Sequence, residues 1–167
     1  MTDGFELPST MVQALQRRAA LTPDRVTLRF LAQTPEQVVV LSYREPDQRA
    51  RTIAGALQAQ ADVGDRVVLL FPSGPDCVAV FFGCLYAVVI AVPAYPPEST
   101  RRHHQERLLS IISDAEPRLL LTSAGLRDGL QQIWCATNFS TLTGLAAQPL
   151  DEVLSLPPNG SFPFPAL

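Results

Sequence analysis

The chain has 167 residues, 47% hydrophobic and 17% charged, so it is long and apolar enough to form one globular domain. A formal net charge of −3 gives no electrostatic reason to expect a nucleic-acid partner. All 13 basic residues are arginine, which excludes chemistry that needs a lysine ammonium, such as a Schiff base or a phosphate-loop lysine. The start of the chain is acidic and lacks the features of a signal peptide, which predicts a cytoplasmic protein.

The spacing of apolar residues predicts helices that alternate with short strands. The predicted elements are a helix over Thr10–Leu21 capped by Ser9 or Thr10, strands over Val26–Leu31 and Val38–Tyr43 that form a hairpin, a helix over Glu45–Gln60, a strand over Arg66–Phe71, a helix over Asp76–Ala87, a strand over Val88–Val92, a helix over Thr100–Ala115 and a strand over Arg118–Thr122. Several of these strands are apolar on both faces, and such strands need helices on both sides of a parallel sheet. The sequence therefore predicts an α/β fold with a mostly parallel sheet and an N-terminal hairpin.

The helix predicted over Glu45–Gln60 is amphipathic. Its apolar face is formed by Ala50, Ile53, Ala54 and Leu57. We expect Asp47, Arg51 and Gln58 to lie away from that face.

The long uncharged run Cys77–Val92 raises the alternative of a membrane-spanning helix. A helix that crosses a bilayer needs about 20 apolar residues, and this run is shorter and ends at Pro93. β-Branched residues replace helix-forming ones near Ala87, which favours a helix followed by a buried strand. A small membrane-associated protein stays an alternative on this evidence.

Beyond residue 127 the periodicity weakens and prolines accumulate toward the end of the chain. Proline removes a backbone donor and resists helix formation. We therefore divide the chain into an ordered subdomain, residues 1–127, and a poorly structured, proline-rich tail, residues 128–167, with a short helix near Asp151–Leu154.

The run from Arg66 to Pro97 carries a distinctive pattern that ends in IAVPAYPP over Ile90–Pro97. It resembles the N-terminal part of fatty-acyl-AMP ligases, a branch of the adenylate-forming enzymes. The segments Leu41–Glu45 and Gly64–Val67 match the family too, and the resemblance extends from about Leu7 to Arg127. Within the family, the chain most resembles the acyl-ligase modules that begin non-ribosomal peptide synthetases of the pyoverdine chromophore type.

The resemblance implies an enzyme that uses ATP and Mg²⁺ to convert a fatty acid into acyl-AMP and pyrophosphate. The acyl group then passes to the thiol of an acyl carrier protein or peptide-synthetase module. The family's phosphate loop, ribose-binding aspartate and C-terminal lysine have no counterpart in this sequence. We therefore assign no catalytic, cofactor-binding or metal-ligating residue, expect no cofactor in this chain, and expect it to be inactive alone. A truncation or frame change in a longer gene is our hypothesis for this pattern.

Two residues depart from the family in the matched part. The family usually has glycine at the position of Val88, where glycine permits either close packing or a positive φ, and a β-branched residue at positive φ would be strained. It favours leucine at the position of Pro46, so an apolar anchor of that helix is expected to be lost.

Several residues that carry reactive or charged groups have a structural interpretation that outweighs the functional one. Cys77, Cys84 and Cys135 are expected to be inert, the first two because they lie in an apolar run. The cluster Arg101–His104 is expected to be a solvated helix turn rather than a phosphate, carrier or metal contact, since adjacent helical residues diverge. The remaining candidates are Asp65, Asp76 and Asp114 as turn or capping residues, and Ser73–Gly74 and Asn159–Ser161 as turns.

A second functional class stays open beside the ligase fragment. The chain is alternatively a stand-alone interaction module that binds a synthetase or acyl carrier protein. A sheet that ends partway exposes apolar edges, so we also predict marginal stability and self-association.

Overall fold

The computed structural model describes residues 8–31, 38–96, 102–127, 130 and 147–151. Within these ranges the elements in chain order are α1 (Met11–Leu21), β1 (Val26–Leu31), β2 (Val38–Ser42), α2 (Arg44–Leu57), β3 (Arg66–Leu70), α3 (Pro75–Tyr86), β4 (Ile90–Ala94), α4 (Arg102–Ala115), β5 (Leu119–Thr122) and β6 (Ala147–Pro149). The predicted N-cap of α1 is confirmed at Thr10, whose side chain accepts a hydrogen bond from the backbone N–H of Gln13 at 3.1 Å.

The strands form two separate sheets. Strands β1 and β2 pair antiparallel as the predicted hairpin. The other four strands are hydrogen-bonded in the order β4-β3-β5-β6, and each neighbouring pair is parallel. Helix α3 connects β3 to β4 and α4 connects β4 to β5, as parallel pairing requires. The predicted α/β fold with a parallel sheet is confirmed.

Strand β3 lies between two others and is buried on both faces. Successive side chains of a strand point to opposite faces of the sheet. Val67 and Leu69 belong to a core cluster shared with α1, α2 and α3, while Val68 and Leu70 pack with residues of α4 such as Ile112. The helices therefore cover both faces of the sheet, which explains why this strand is apolar from Val67 to Leu70.

Strand β4 begins two residues later than predicted. The prediction of a strand over Val88–Val92 is wrong, because Val88 and Val89 complete the turn that ends α3 and the strand spans Ile90–Ala94. Pro93 lies inside this strand and pairs with Leu69 instead of closing it. Among the described strands β4 is at the edge of its sheet, where proline is tolerated.

Strand β6 pairs parallel with β5 through Ala147–Pro149, a segment for which the sequence predicts no strand. The next residue, Leu150, is 5% exposed and joins the core cluster that contains Val67. Most of the helix predicted near Asp151–Leu154 lies outside the described residues. The division of the chain at residue 127 stays a prediction.

Helices α2 and α3 pack closely at Gly83. A Cβ atom added to Gly83 would lie 2.5 Å from Cγ2 of Ile53, which is closer than side-chain atoms approach one another. Only glycine therefore allows this separation of the two helices. The apolar face predicted for α2 is confirmed, since Ala50, Ile53, Ala54 and Leu57 are all at most 1% exposed.

A buried polar cluster links the same two helices. The hydroxyl of Tyr86 donates a 2.7 Å hydrogen bond to Asp47, and Nε of Arg51 donates a 2.9 Å hydrogen bond to the other oxygen of that carboxylate. The guanidinium carbon of Arg51 lies 5.7 Å from the centre of the Tyr86 ring, within the range of a cation–π contact. Burial, together with the hydrogen bond to Asp47, raises the pKa of Tyr86. This cluster holds the first turns of α2 against the end of α3.

Two predictions about α2 are wrong. Asp47 is 8% exposed and does not lie on the solvent side, because Arg51 and Tyr86 satisfy its carboxylate inside the protein. Pro46 is also buried, so the position still provides an apolar contact. Its place in the first turn costs no helical hydrogen bond.

Helix α3 ends in a left-handed residue that is not glycine. Val88 has φ +60° and follows the C-cap residue Ala87. The N–H of Val88 donates to the carbonyl of Leu85 at 3.3 Å, and the N–H of Val89 donates to the carbonyl of Cys84 at 3.0 Å. This is the Schellman hydrogen-bond pattern, in which glycine is the preferred left-handed residue. Of the two explanations expected for the family's glycine at this position, close packing or a positive φ, the structure shows the positive φ.

Replacement of Val88 tests this strain. Both Val88→Gly and Val88→Ala remove the branched side chain, but only glycine adopts the left-handed conformation without a steric cost. We expect V88G to have a free energy of unfolding about 1 kcal/mol higher than that of V88A. Urea denaturation followed by circular dichroism measures the difference. Equal stability of the two variants would show that the position is not strained.

Removal of the Tyr86 hydroxyl tests the buried cluster. Tyr86→Phe leaves one oxygen of a buried carboxylate without its donor, so we expect a loss of about 1–3 kcal/mol in the free energy of unfolding at neutral pH. In the folded protein Tyr86 keeps its proton above pH 10, whereas an unfolded tyrosine loses it near that pH. Wild-type stability should therefore fall as the pH rises past 10, and Y86F should lack this contribution.

Tyr43→Phe is the matched control, because the Tyr43 hydroxyl donates to no other described residue. A loss in Y43F as large as that in Y86F would contradict the assignment of the effect to Asp47.

Candidate functional site

The carboxyl ends of the parallel strands form one edge of the sheet. In open α/β sheets, ligands bind in the crevice outside these ends. Strands β3, β4 and β5 end at Leu70, Ala94 and Thr122. The hydroxyl of Thr122 donates a 3.0 Å hydrogen bond to the carbonyl of Leu70, which joins two of the strand ends below the edge.

The segments that follow the strands supply the edge with few polar side chains. They contain Ser73 after β3, Tyr95 after β4 and Ser123 after β5. Helix α3 also starts here, with Gly74 at its N-cap and no side-chain cap. The edge therefore offers hydroxyl groups and backbone donors, which bind and orient a ligand. Among the described residues no group of three or more His, Cys, Asp or Glu side chains is placed to hold a metal ion.

Most of the residues singled out from the sequence are at turns or helix ends, as predicted. Ser73 and Gly74 form the turn before α3. Asp76 lies in the first turn of that helix and forms an ion pair with Arg49 of α2. The carboxylate of Asp65 accepts a 2.9 Å hydrogen bond from the N–H of Asp62 within the turn before β3.

The candidate basic cluster is described only in part. His104 is a half-buried residue of α4, whereas Arg101 and the side chains of Arg102 and His103 lie outside the described residues. Asn159–Ser161 and Cys135 lie outside them as well.

The two described cysteines are on α3. Burial raises the pKa of Cys84 to about 12 and also raises the pKa of the half-buried Cys77. A thiol with a raised pKa is a poor nucleophile at neutral pH, because the thiolate is the reactive form. The prediction that Cys77 and Cys84 are inert core residues agrees with these surroundings.

The uncharged run Cys77–Val92 is divided between α3, a turn and β4. No helix in the described part of the chain has the length and apolar character needed to cross a membrane.

A second concave feature is lined by residues outside the four-stranded sheet. It is an apolar groove of about 450 Å³ between α1, the hairpin and the first turns of α2 and α3. Its apolar lining includes Met11, Leu15, Leu28, Pro46, Val78 and Phe82. Arg18, Thr27 and Tyr43 add polar groups to the lining. None of these residues was singled out as a site from the sequence, because the groove joins four elements that are distant along the chain.

Comparison with known proteins agrees with the fold and gives it a family. The model of the AMP-binding enzyme family matches residues 15–157, well past residue 127. The chain is 42% identical over 115 residues to the medium-chain-fatty-acid–[acyl-carrier-protein] ligase JamA of Moorena producens, a match that covers 68% of this chain and 19% of that protein. It is 32% identical over 129 residues to the long-chain-fatty-acid–AMP ligase FadD32 of Mycolicibacterium smegmatis, covering 75% of this chain and 20% of that ligase.

Solved structures show the same relationship. The fatty acyl-adenylate ligase from L. pneumophila, solved with acyl adenylate and pyrophosphate, superimposes with a TM-score of 0.67 at 30% identity. The match covers 89% of this chain and 25% of the ligase chain. The McyG A-PCP structure with phenylalanyl-adenylate has a TM-score of 0.79, and the match covers 96% of this chain and 25% of the McyG chain. The sequence identity is 17%, so this match shows the fold alone. The chain spans only about a fifth to a quarter of the length of these proteins. This chain belongs to the AMP-binding family of adenylate-forming enzymes, where it corresponds to the N-terminal part and is close to the fatty-acid ligases.

Proposed function

We propose that this chain is the N-terminal scaffold of a fatty-acyl-AMP ligase and is inactive by itself. The complete enzyme would join a fatty acid carboxylate to the α-phosphate of ATP, with Mg²⁺ neutralising charge, and release pyrophosphate. The acyl group would then pass to the phosphopantetheine thiol of an acyl carrier protein or peptide-synthetase module.

The observation that carries this proposal is the 42% identity over 115 residues to a fatty-acid ligase that acts on an acyl carrier protein. The 30% identity to a structure with bound acyl adenylate supports it. Both proteins are about four to five times the length of the match, so most of the machinery that acts on ATP belongs to parts that this chain does not match.

The chemistry of the carboxyl edge supports a scaffolding role. Adenylation requires groups that neutralise the charge developing on the phosphates. The described residues next to the ends of β3, β4 and β5 offer the uncharged side chains of Ser73, Tyr95 and Ser123, and the first charged residue after β5 is Arg127. We assign no catalytic, cofactor-binding or metal-ligating residue here. We propose that residues 1–127 form the scaffold, to which β6 of the following residues, 128–167, adds a strand.

The finer context of the proposal rests on the motif at Ile90–Pro97. Its likeness to acyl-ligase modules that begin pyoverdine-type peptide synthetases favours a lipopeptide or siderophore system in the cytoplasm. The sequence of the gene beyond codon 167 tests the related hypothesis of a truncation or frame change. That hypothesis is wrong if no phosphate-loop motif is encoded downstream in any frame.

The exposed face of the hairpin favours a second candidate, an interaction module for a synthetase or acyl carrier protein. Val38, Val39 and Val40 of β2 are each more than 40% exposed. Among the described strands β2 pairs only with β1, and an edge strand with apolar side chains is a template for association with another chain. Co-purification of a carrier or synthetase module with the wild type, and its loss in Val39→Glu, would favour this function.

An assay of pyrophosphate release tests the proposed role. The purified chain with ATP, Mg²⁺ and fatty acids from octanoate to palmitate should release no pyrophosphate above the blank. A chimera that carries this chain in place of the matching segment of a fatty-acyl-AMP ligase should release it with the fatty acids of that ligase. Release by the chain alone would disprove its inactivity, and a folded but inactive chimera would disprove the scaffold role.

The Gly83→Leu chimera is the structural control. The added side chain collides with Ile53 and should separate α2 from α3, so this chimera is expected to lose activity and stability together.

Sedimentation velocity tests the predicted self-association. We expect the wild type to form dimers or larger species at micromolar concentration through the exposed valines of β2, and V39E to shift the distribution toward monomer. Arg29→Gln, which makes the same change of one negative charge on the neighbouring strand, should have a smaller effect. A wild type that stays monomeric up to about a hundred micromolar would contradict the prediction.

A further inference from the structure

The apolar groove between α1, the hairpin, α2 and α3 has the size and lining of a small-molecule site. Ligand pockets are about 300–1,000 Å³, apolar for the most part, with a few polar groups that orient the ligand. This groove has a volume of about 450 Å³ and fits that description. None of its lining residues belongs to the four-stranded sheet or to the segments at its carboxyl ends. It is therefore a site separate from the edge described above.

The charge contributed by the residues that line the groove is positive. Arg18 is the charged residue among those that line it, and its side chain is exposed. Among the described residues no carboxylate forms an ion pair with Arg18. The nearby acidic residues are engaged elsewhere: Asp24 pairs with Arg44 at 2.9 Å, and Glu45 accepts 2.6 Å and 2.9 Å hydrogen bonds from the N–H and hydroxyl of Ser42.

The lining also contains hydroxyl groups, which are hydrogen-bond donors, in addition to the guanidinium of Arg18. The hydroxyls of Thr27 and Tyr43 both contribute to the lining. Within the ranges that the structure describes, neither hydroxyl bonds to another residue. A guanidinium with two hydroxyls suits the oxygens of a carboxylate, since charge-assisted hydrogen bonds to such groups are the strong ones. A ligand matched to these groups has an apolar chain and a single anionic head.

We propose that this groove binds a free fatty acid, with the alkyl chain against Met11, Leu28 and Phe82 and the carboxylate held by Arg18. The site requires no ATP and no part of a ligase outside this chain. It therefore does not rest on the proposed function, and binding and pyrophosphate release fail independently of each other.

Direct titration of the whole chain below the critical micelle concentration tests the proposal. Hexanoate, octanoate and decanoate should bind with Kd values that fall by up to about fourfold per added CH2 group. Decanoate should bind at least tenfold more tightly than decanol, because only the carboxylate pairs with Arg18. Decyltrimethylammonium, which has the opposite charge, should bind more weakly than either.

Two pairs of variants locate the ligand. Arg18→Met should bring the Kd of decanoate close to that of decanol. Arg29→Met makes the same charge change on an exposed residue of β1 outside the groove, and it should leave the Kd values of decanoate and decanol unchanged. Ala14→Phe should fill the groove and raise both Kd values at least tenfold, whereas Ala20→Phe places the same ring on the exposed side of α1. Thermal melts confirm that each variant is folded.

Four results would overturn the proposal. Equal effects of R18M and R29M would show a general charge effect, and undiminished binding by A14F would place the ligand on another apolar surface. A dimer that A14F dissociates and decanoate does not would show that a second copy of the chain covers the groove. Binding that appears only after residues 1–7 are removed would show that the N-terminal segment occupies it.

Discussion

The burial of strand β3 on both faces is the constraint on which the rest of the structure depends. A strand whose residues Val67–Leu70 all avoid water needs an apolar layer above and below it. Helices α1, α2 and α3 supply one layer, and α4 supplies the other. The two parallel neighbours, β4 and β5, complete the hydrogen bonds of its backbone. This arrangement positions the ends of β3, β4 and β5 that form the carboxyl edge.

The elements whose burial follows a simple period are predictable from the sequence. The apolar stripe of α2 is read directly from residue spacing, and the structure confirms it. An alternation of buried Val26, Leu28 and Phe30 is predicted for β1 in the same way, but Val26 is 43% exposed, so that pattern holds only in part. Asp47 shows where this method fails. Its burial depends on Tyr86, which is 39 residues away, and no local pattern reveals that a distant hydroxyl will satisfy a carboxylate. Strand β6 is missed for a similar reason, since three residues pair with β5 over a long separation along the chain.

The two concave features of the molecule differ in how much of them this chain contains. The carboxyl edge is open at the β6 side of the described sheet, and the related ligases are several times longer than this chain. The groove is lined by residues of four elements that the structure describes. The edge is recognisable from the sequence because it follows a family motif. The groove is not, since its lining is dispersed over 72 positions, from Met11 to Phe82.

The turn at Val88 has a consequence for the alignment of the sheet. The carbonyl of Val88 accepts a 2.9 Å hydrogen bond from the N–H of Gly64, and the N–H of Ile90 donates to the carbonyl of Asp65 at 2.8 Å. These two bonds bring the starts of β3 and β4 level, with Arg66 opposite Ile90. A slip of one residue would turn every β4 side chain toward the opposite layer. The left-handed residue Val88 thus fixes the register of β4 against β3. The strained turn keeps Ala91 against one core cluster and Val92 against the other.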